Sequence, residues 1–182
     1  KAYYNHILAR FGKPEMDERQ FAFTHMHTAD VSMAFLFEDE ESLLQAQAFR
    51  KKMTYMPFIR HMRMEPHLRE VLNNLRIRCK TAVASNRTDT MNRVLEIHKL
   101  EGMFDLVVSA LDVARPKPHP DELLKILEHF DAAPDEIVYV GDSSVDEAAA
   151  KAAGVELIAY NSPGLDADYH IRSLKEIEDI LF

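Results

Sequence analysis

Cysteine is nearly absent: Cys79 stands alone in the 182 residues, so no internal disulfide can form. Long apolar runs are missing too. No stretch approaches the roughly 20 residues of a membrane span, and none has the pattern of a signal peptide. Glycine (5) and proline (8) are too scarce for a linker-rich or disordered chain. Basic charge is also short, with 22 Lys+Arg against 30 Asp+Glu and a formal net charge of -8. That balance disfavours nucleic acid and anionic membranes as partners. These absences lead us to expect a soluble protein of a reducing, cytoplasmic compartment. What is plentiful is apolar: 47% of the residues are hydrophobic, enough for a sizeable core. The length accommodates one ordinary domain of roughly 100 to 150 residues plus a smaller appendage.

The pattern changes along the chain. Residues 1 to about 75 read as helical, with "YYNHILARFG" stopping on Gly12 and a charged, Met- and Leu-rich stretch from Glu38 to Arg63. Here "EDEESLL" marks an acidic helix start. The Met-rich run from Met53 to Met64 reads as adaptable packing. Beyond residue 75, short apolar runs alternate with helical ones: "RCKTAVAS", "TMNRVLEIHKL", "FDLVVSA", "DELLKILEHF", "EIVYVGD", "VDEAAAKAAG", "VELIAY". Such alternation predicts an α/β fold, a Rossmann-like parallel sheet wrapped by helices. Cys79 sits in the first of these runs and is expected in the core.

Ligands of such sheets bind beyond the carboxyl ends of the strands, so the residues following each run are the candidates. After "KTAVA" come Ser85, Asn86 and Thr88, an anion site in outline or simply a turn and a helix cap. After "LVVSALDVA" comes "RPKPHP", where prolines on both sides stiffen the approach to Lys117. That lysine is either a phosphate clamp or a solvated charge. After "IVYVG" come Asp142 and Asp146, either hard oxygen ligands suited to Mg²⁺ or a turn residue and a helix cap.

Taken in order, "TAVASN", "RPKPHP" and "VYVGDSSVD" resemble the second, third and fourth motifs of the haloacid dehalogenase superfamily of phosphohydrolases. The phosphoglycolate phosphatase and β-phosphoglucomutase-like branch is the nearest in kind. This resemblance implies a helical cap over residues 1–65 and an α/β core over residues 66–182. It also implies Mg²⁺-dependent hydrolysis of a small phosphorylated metabolite through an aspartyl-phosphate. In that scheme Lys117, Ser85 and Asn86 hold the phosphoryl group, Asp142 ligates Mg²⁺, and Asp146 binds the metal through water or orients Lys117. Two alternatives stand beside it: a sugar phosphomutase using the same chemistry, and an inactive phosphate-binding regulator.

The superfamily's first motif, DxDxT, carries the nucleophile, and it occurs nowhere in the 182 residues. Its strand is expected before Lys1, between the strands ending at Ser85 and Asp142. Without it, inner strands would keep open edges, at about 1 to 3 kcal/mol for each unsatisfied buried group. The chain alone is therefore expected to be inactive. In the helical part, residues 21 to 37 ("FAFTHMHTADVSMAFLF") read as a segment between helices. On an extended chain His25 and His27 could face one way, and with Thr28 they are the candidate contacts for substrate specificity. Packing or surface histidines are the competing reading.

Overall fold

The computed structural model describes residues 1–182 and divides into two compact units, Lys1–Arg63 and Met64–Phe182. The first unit is all helical: α1 (Ala2–Arg10), α2 (Glu18–Met26), α3 (Ala29–Leu36), α4 (Glu40–Lys52) and the single turn α5 (Met56–Ile59). Side-chain caps start two of these helices, α2 and α4. Asp17 accepts from the Gln20 backbone N–H, and the Gln20 side chain reciprocates in a capping box. Asp39 caps α4 by accepting from the Ser42 N–H, as the acidic "EDEESLL" predicts. The apolar positions of α1, α3 and α4 then share one core of Ile7, Leu8, Met33, Leu36, Phe37 and Ala46. Phe11 meets Phe37 and Phe49 edge-on, at centroid distances of 5.5 and 6.1 Å.

The second unit opens with α6 (Leu68–Leu75) and continues through β1 (Ala82–Ser85), α7 (Met91–Ile97), β2 (Leu106–Ser109) and α8 (Asp121–Phe130). It closes with β3 (Val138–Gly141), α9 (Ser144–Ala153), β4 (Glu156–Tyr160), β5 (Tyr169–Ile171) and α10 (Glu176–Leu181). Each of the seven alternating runs has become the expected strand or helix. All strand pairs are parallel: β1 pairs with β2, while β3, β4 and β5 form a separate three-stranded sheet. Strands alternate their side chains between two helical layers. Leu157 and Val108 pack with α8 and α9 through Leu123, Ile126, Leu127 and Ala149. Ile158 and Ile171 face the opposite way, onto Val71 and Leu75 of α6 and Ile177 of α10. The fold is thus α/β and parallel, with helices on both faces.

Two expectations need correction. Cys79 lies in the turn after α6 and is half-buried, outside every core cluster, because the strand begins only at Ala82. Residues 21 to 37 are mostly helix rather than an intervening extended segment, since α2 and α3 occupy nearly all of them.

Candidate active site

Lys117 is the residue around which the second unit's polar groups gather. Its side chain is buried, and its ammonium donates to the Ala84 carbonyl (3.0 Å), to the Tyr139 hydroxyl (2.7 Å) and to Asp146 Oδ1 (2.8 Å). A lysine has three donors, so all are committed. One side chain therefore ties together β1, β3 and the start of α9. Its backbone is held as well: the Asn86 side-chain amide donates to the Lys117 carbonyl at 2.9 Å.

Asp146 is equally well occupied. Besides Lys117, the Tyr139 hydroxyl donates to Oδ1 (2.7 Å), while Oδ2 accepts from the Asp142 and Ser143 N–H groups (3.2 and 3.1 Å) and the Ser143 hydroxyl (2.5 Å). Burial alone would raise this carboxyl. The Lys117 ammonium and the hydrogen bonds from Lys117, Ser143 and Tyr139 outweigh burial and hold it below the usual range. The geometry depends on Gly141, where an added Cβ would stand 2.4 Å from the Asp146 Cβ. A missing side chain at position 141 lets the helix start fold back against the strand.

Burial acts with the neighbouring Asp146 to raise the Tyr139 hydroxyl well above its ordinary value, so it stays a neutral donor. Glu122, in the first turn of α8, is fully buried, and neither carboxylate oxygen has a partner with good hydrogen-bond geometry. Burial pushes its pKa up to about 7, against the pull of Lys117.

The sequence candidates divide as follows. Ser85 ends β1, where its hydroxyl accepts from the Arg87 N–H at 3.2 Å. Ser85, Asn86, Lys117 and Asp146 belong to one neighbourhood, joined through Ala84 and the Lys117 loop. Thr88 does not cap a helix: α7 starts only at Met91, and the Thr88 hydroxyl donates to Asp89 instead. Asp142 follows β3 and is exposed, and its carbonyl accepts from the Ser162 hydroxyl at 2.6 Å. His25, His27 and Thr28 belong to the helical unit, at the α2–α3 junction. The extended arrangement assumed for the histidines is not found. His25 is in the last turn of α2 and exposed, whereas the His27 ring stacks on Phe23 at 4.0 Å, with Nδ1 2.9 Å from the Phe23 carbonyl oxygen.

As a test of the Mg²⁺ expectation, no set of three or more His, Cys, Asp or Glu side chains converges. Asp146 already accepts from five donors, which points to orienting Lys117 over binding metal directly. Asp142 supplies one exposed carboxylate at a strand's carboxyl end. Mg²⁺ takes one or two carboxylates and completes its shell with water and phosphate, so the donor chemistry fits with Asp142 as the contributing residue. A depression of about 250 Å³ lies elsewhere, beyond β4 and β5, lined by Asn161, Ser162, His170 and Arg172 among others. Its Ser162 is the residue that donates to the Asp142 carbonyl, but none of the site residues expected from the sequence lines it.

Sequence reasoning missed Tyr139 and Glu122. Tyr139 was hidden in the apolar run "IVYVG", where an aromatic reads as strand packing. Glu122 left a legible signal, standing four and eight residues before Ile126 and Phe130 on the apolar stripe of α8.

Parallel strands wound by helices on both faces, with a lysine and acids gathered at the carboxyl ends, define an open-sheet α/β protein with its chemistry at the strand ends. The profile of the haloacid dehalogenase-like hydrolases matches residues 1–160, and the chain belongs to that family. It is similar to a structure of a haloacid dehalogenase-superfamily hydrolase, subfamily IA, variant 1, from Geobacter sulfurreducens. The identity is 36% and the TM-score 0.80, covering 100% of this chain and 87% of that one. The β-phosphoglucomutase of Clostridium difficile shares the fold at TM-score 0.84 and 17% identity, over 98% of this chain and 86% of that one. Among curated relatives, Pyrophosphatase PpaX of Bacillus mycoides is 39% identical over 77 residues, 42% of this chain and 36% of that protein. The chain spans less than half the length of the curated relatives it matches first.

Proposed function

We propose that the whole protein is a Mg²⁺-dependent phosphohydrolase that cleaves a small phosphorylated substrate through an aspartyl-phosphate. The observation that carries this reading is the buried Lys117 ammonium, fixed between β1 and β3 by Ala84, Tyr139 and Asp146, with its backbone carbonyl held by the Asn86 side chain. A phosphoryl group gains charge on its peripheral oxygens in the transition state, and a preorganised cation stabilises it without reorganisation. To touch an oxygen, Lys117 exchanges one of its three internal contacts for the phosphoryl group. Asp146 keeps the ammonium in place during that exchange, and the Ser85 hydroxyl and Asn86 N–H complete the cradle. Bound at Asp142, Mg²⁺ would offset phosphoryl charge.

The nucleophile in this reading is an aspartate on a strand between β1 and β3. Each of those strands has a ladder partner on one side only, and Lys117 bridges their ends. The 182 residues, without a DxDxT sequence, are then expected to bind phosphate and not to turn it over. The helical unit is the candidate for substrate selection, with exposed His25 and half-buried Thr28 as its candidate polar contacts and His27 packed against Phe23. Similarity to a pyrophosphatase adds a phosphoanhydride to the substrate classes worth testing.

The test is an assay of the full-length protein with Mg²⁺ against phosphomonoesters, sugar phosphates and pyrophosphate. Release of inorganic phosphate with no bisphosphate requirement is expected. Turnover only in the presence of a sugar bisphosphate would identify a mutase, and no turnover of any compound would leave the regulator reading standing.

A further inference from the structure

Outside the groups assigned above, the second unit holds one buried acid that the proposed reaction does not use. Glu122 is 0% exposed, and neither oxygen has a hydrogen-bond partner of good geometry. Native proteins rarely leave a buried carboxylate in this state, because an ionised carboxylate without a partner is costly. The nearby cation cannot satisfy it, since all three Lys117 donors are taken by Ala84, Tyr139 and Asp146. The other groups facing Glu122 are the Lys117 backbone N–H, which favours the carboxylate but does not reach good hydrogen-bond geometry, Asp146 from α9, Asp112 from the turn after β2, and the Tyr139 hydroxyl from β3. Asp121, next in sequence, turns away to pair with Arg115.

We propose that Glu122 is a positioning residue that sets the net charge around Lys117. When its carboxyl is protonated, the Lys117–Asp146 pair is balanced and the pocket accepts a phosphoryl dianion. When it ionises, the pocket gains a negative charge that opposes the dianion and competes for the ammonium. This rests on the phosphate site proposed above. The carboxyl's pKa of about 7 places the change near neutral pH, so phosphate affinity weakens as pH rises through that value. One added charge in a medium of effective dielectric constant about 20 changes the affinity for a nearby dianion by on the order of tenfold.

The experiment compares inorganic phosphate binding to the full-length wild type and to Glu122→Gln, without Mg²⁺, between pH 5.5 and 8.5. Phosphate itself titrates across this range, so the readout is the ratio of the two dissociation constants at each pH. We expect a ratio near one at pH 5.5, rising on the order of tenfold in favour of Glu122→Gln at pH 8.5. A ratio that stays constant while both proteins bind overturns this inference and leaves the phosphate site intact. Absence of binding by the wild type at every pH overturns both. A second measurement needs no variant: the Glu122 carboxyl carbon is followed by ¹³C NMR in the wild type. Titration near pH 7 supports the inference, and titration below pH 5 refutes it.

Discussion

Replacing Lys117 by alanine is the most informative perturbation of the second unit. On sequence grounds the lysine is either a phosphate clamp or a solvated charge, and neither reading gives it a part in holding the fold. The structure makes it a buried strut whose ammonium bonds β1, β3 and α9 at 2.7 to 3.0 Å. Lys117→Ala strands Asp146 as a buried charge and leaves the Ala84 carbonyl without this donor. Breaking a buried pair from one side costs about 3–5 kcal/mol, a large share of the roughly 5–15 kcal/mol that holds a domain together. With a urea m-value of about 2 kcal/mol/M, the midpoint should fall by roughly 2 M. Lys117→Met combined with Asp146→Asn removes both charges and should recover part of the loss. The pH dependence has a definite sign. Asp146 is held below its ordinary value of 3.8, so the stability it contributes is present above that value and is lost as pH falls through its lower folded value. A midpoint shift under about 0.5 M for Lys117→Ala at pH 7 would refute the strut reasoning.

Gly141→Ala should destabilise by about 2 kcal/mol or more, because its Cβ collides with Asp146 in a part of the fold that has no slack; thermal melting would reveal it. Tyr139→Phe deletes a donor to Asp146 and an acceptor for Lys117, at about 1–2 kcal/mol by urea unfolding, while the core contacts of the ring persist. Asp142→Asn, an exposed change, should leave the unfolding free energy from urea titration within about 0.5 kcal/mol of wild type. In the full-length protein the same variant should abolish the Mg²⁺-stimulated part of phosphate release. Stimulation that survived it would remove Asp142 from the metal site.

How much was legible depended on how local the cause was. The seven alternating runs were readable because hydrophobic period and helix starts are properties of a few adjacent residues. The acidic start of α4 is one such case, with Asp39 three residues before its Ser42 partner. The histidine segment failed for the complementary reason. Two residues apart means one face on a strand, but α2 extends through Met26, so His25 sits on the helix and His27 just beyond its end. Cys79 was misplaced because an apolar run shows that a strand is near without fixing its first residue.

Sequence alone determined the class of fold and the short roster of residues after each strand, because strand-then-polar-loop is written in consecutive positions. Only the tertiary structure decided what those residues do to one another. Lys117 and Asp146 are 29 positions apart, and their 2.8 Å contact exists only because parallel strands bring their carboxyl ends together. The same packing turned Tyr139 from an apolar-run residue into a hydrogen-bonding partner, and Glu122 from a first-turn acid into a buried carboxyl whose pKa burial pushes up to about 7. Charge, burial and the number of donors an ammonium can spend are properties of a neighbourhood, and a neighbourhood is defined only once the chain has folded.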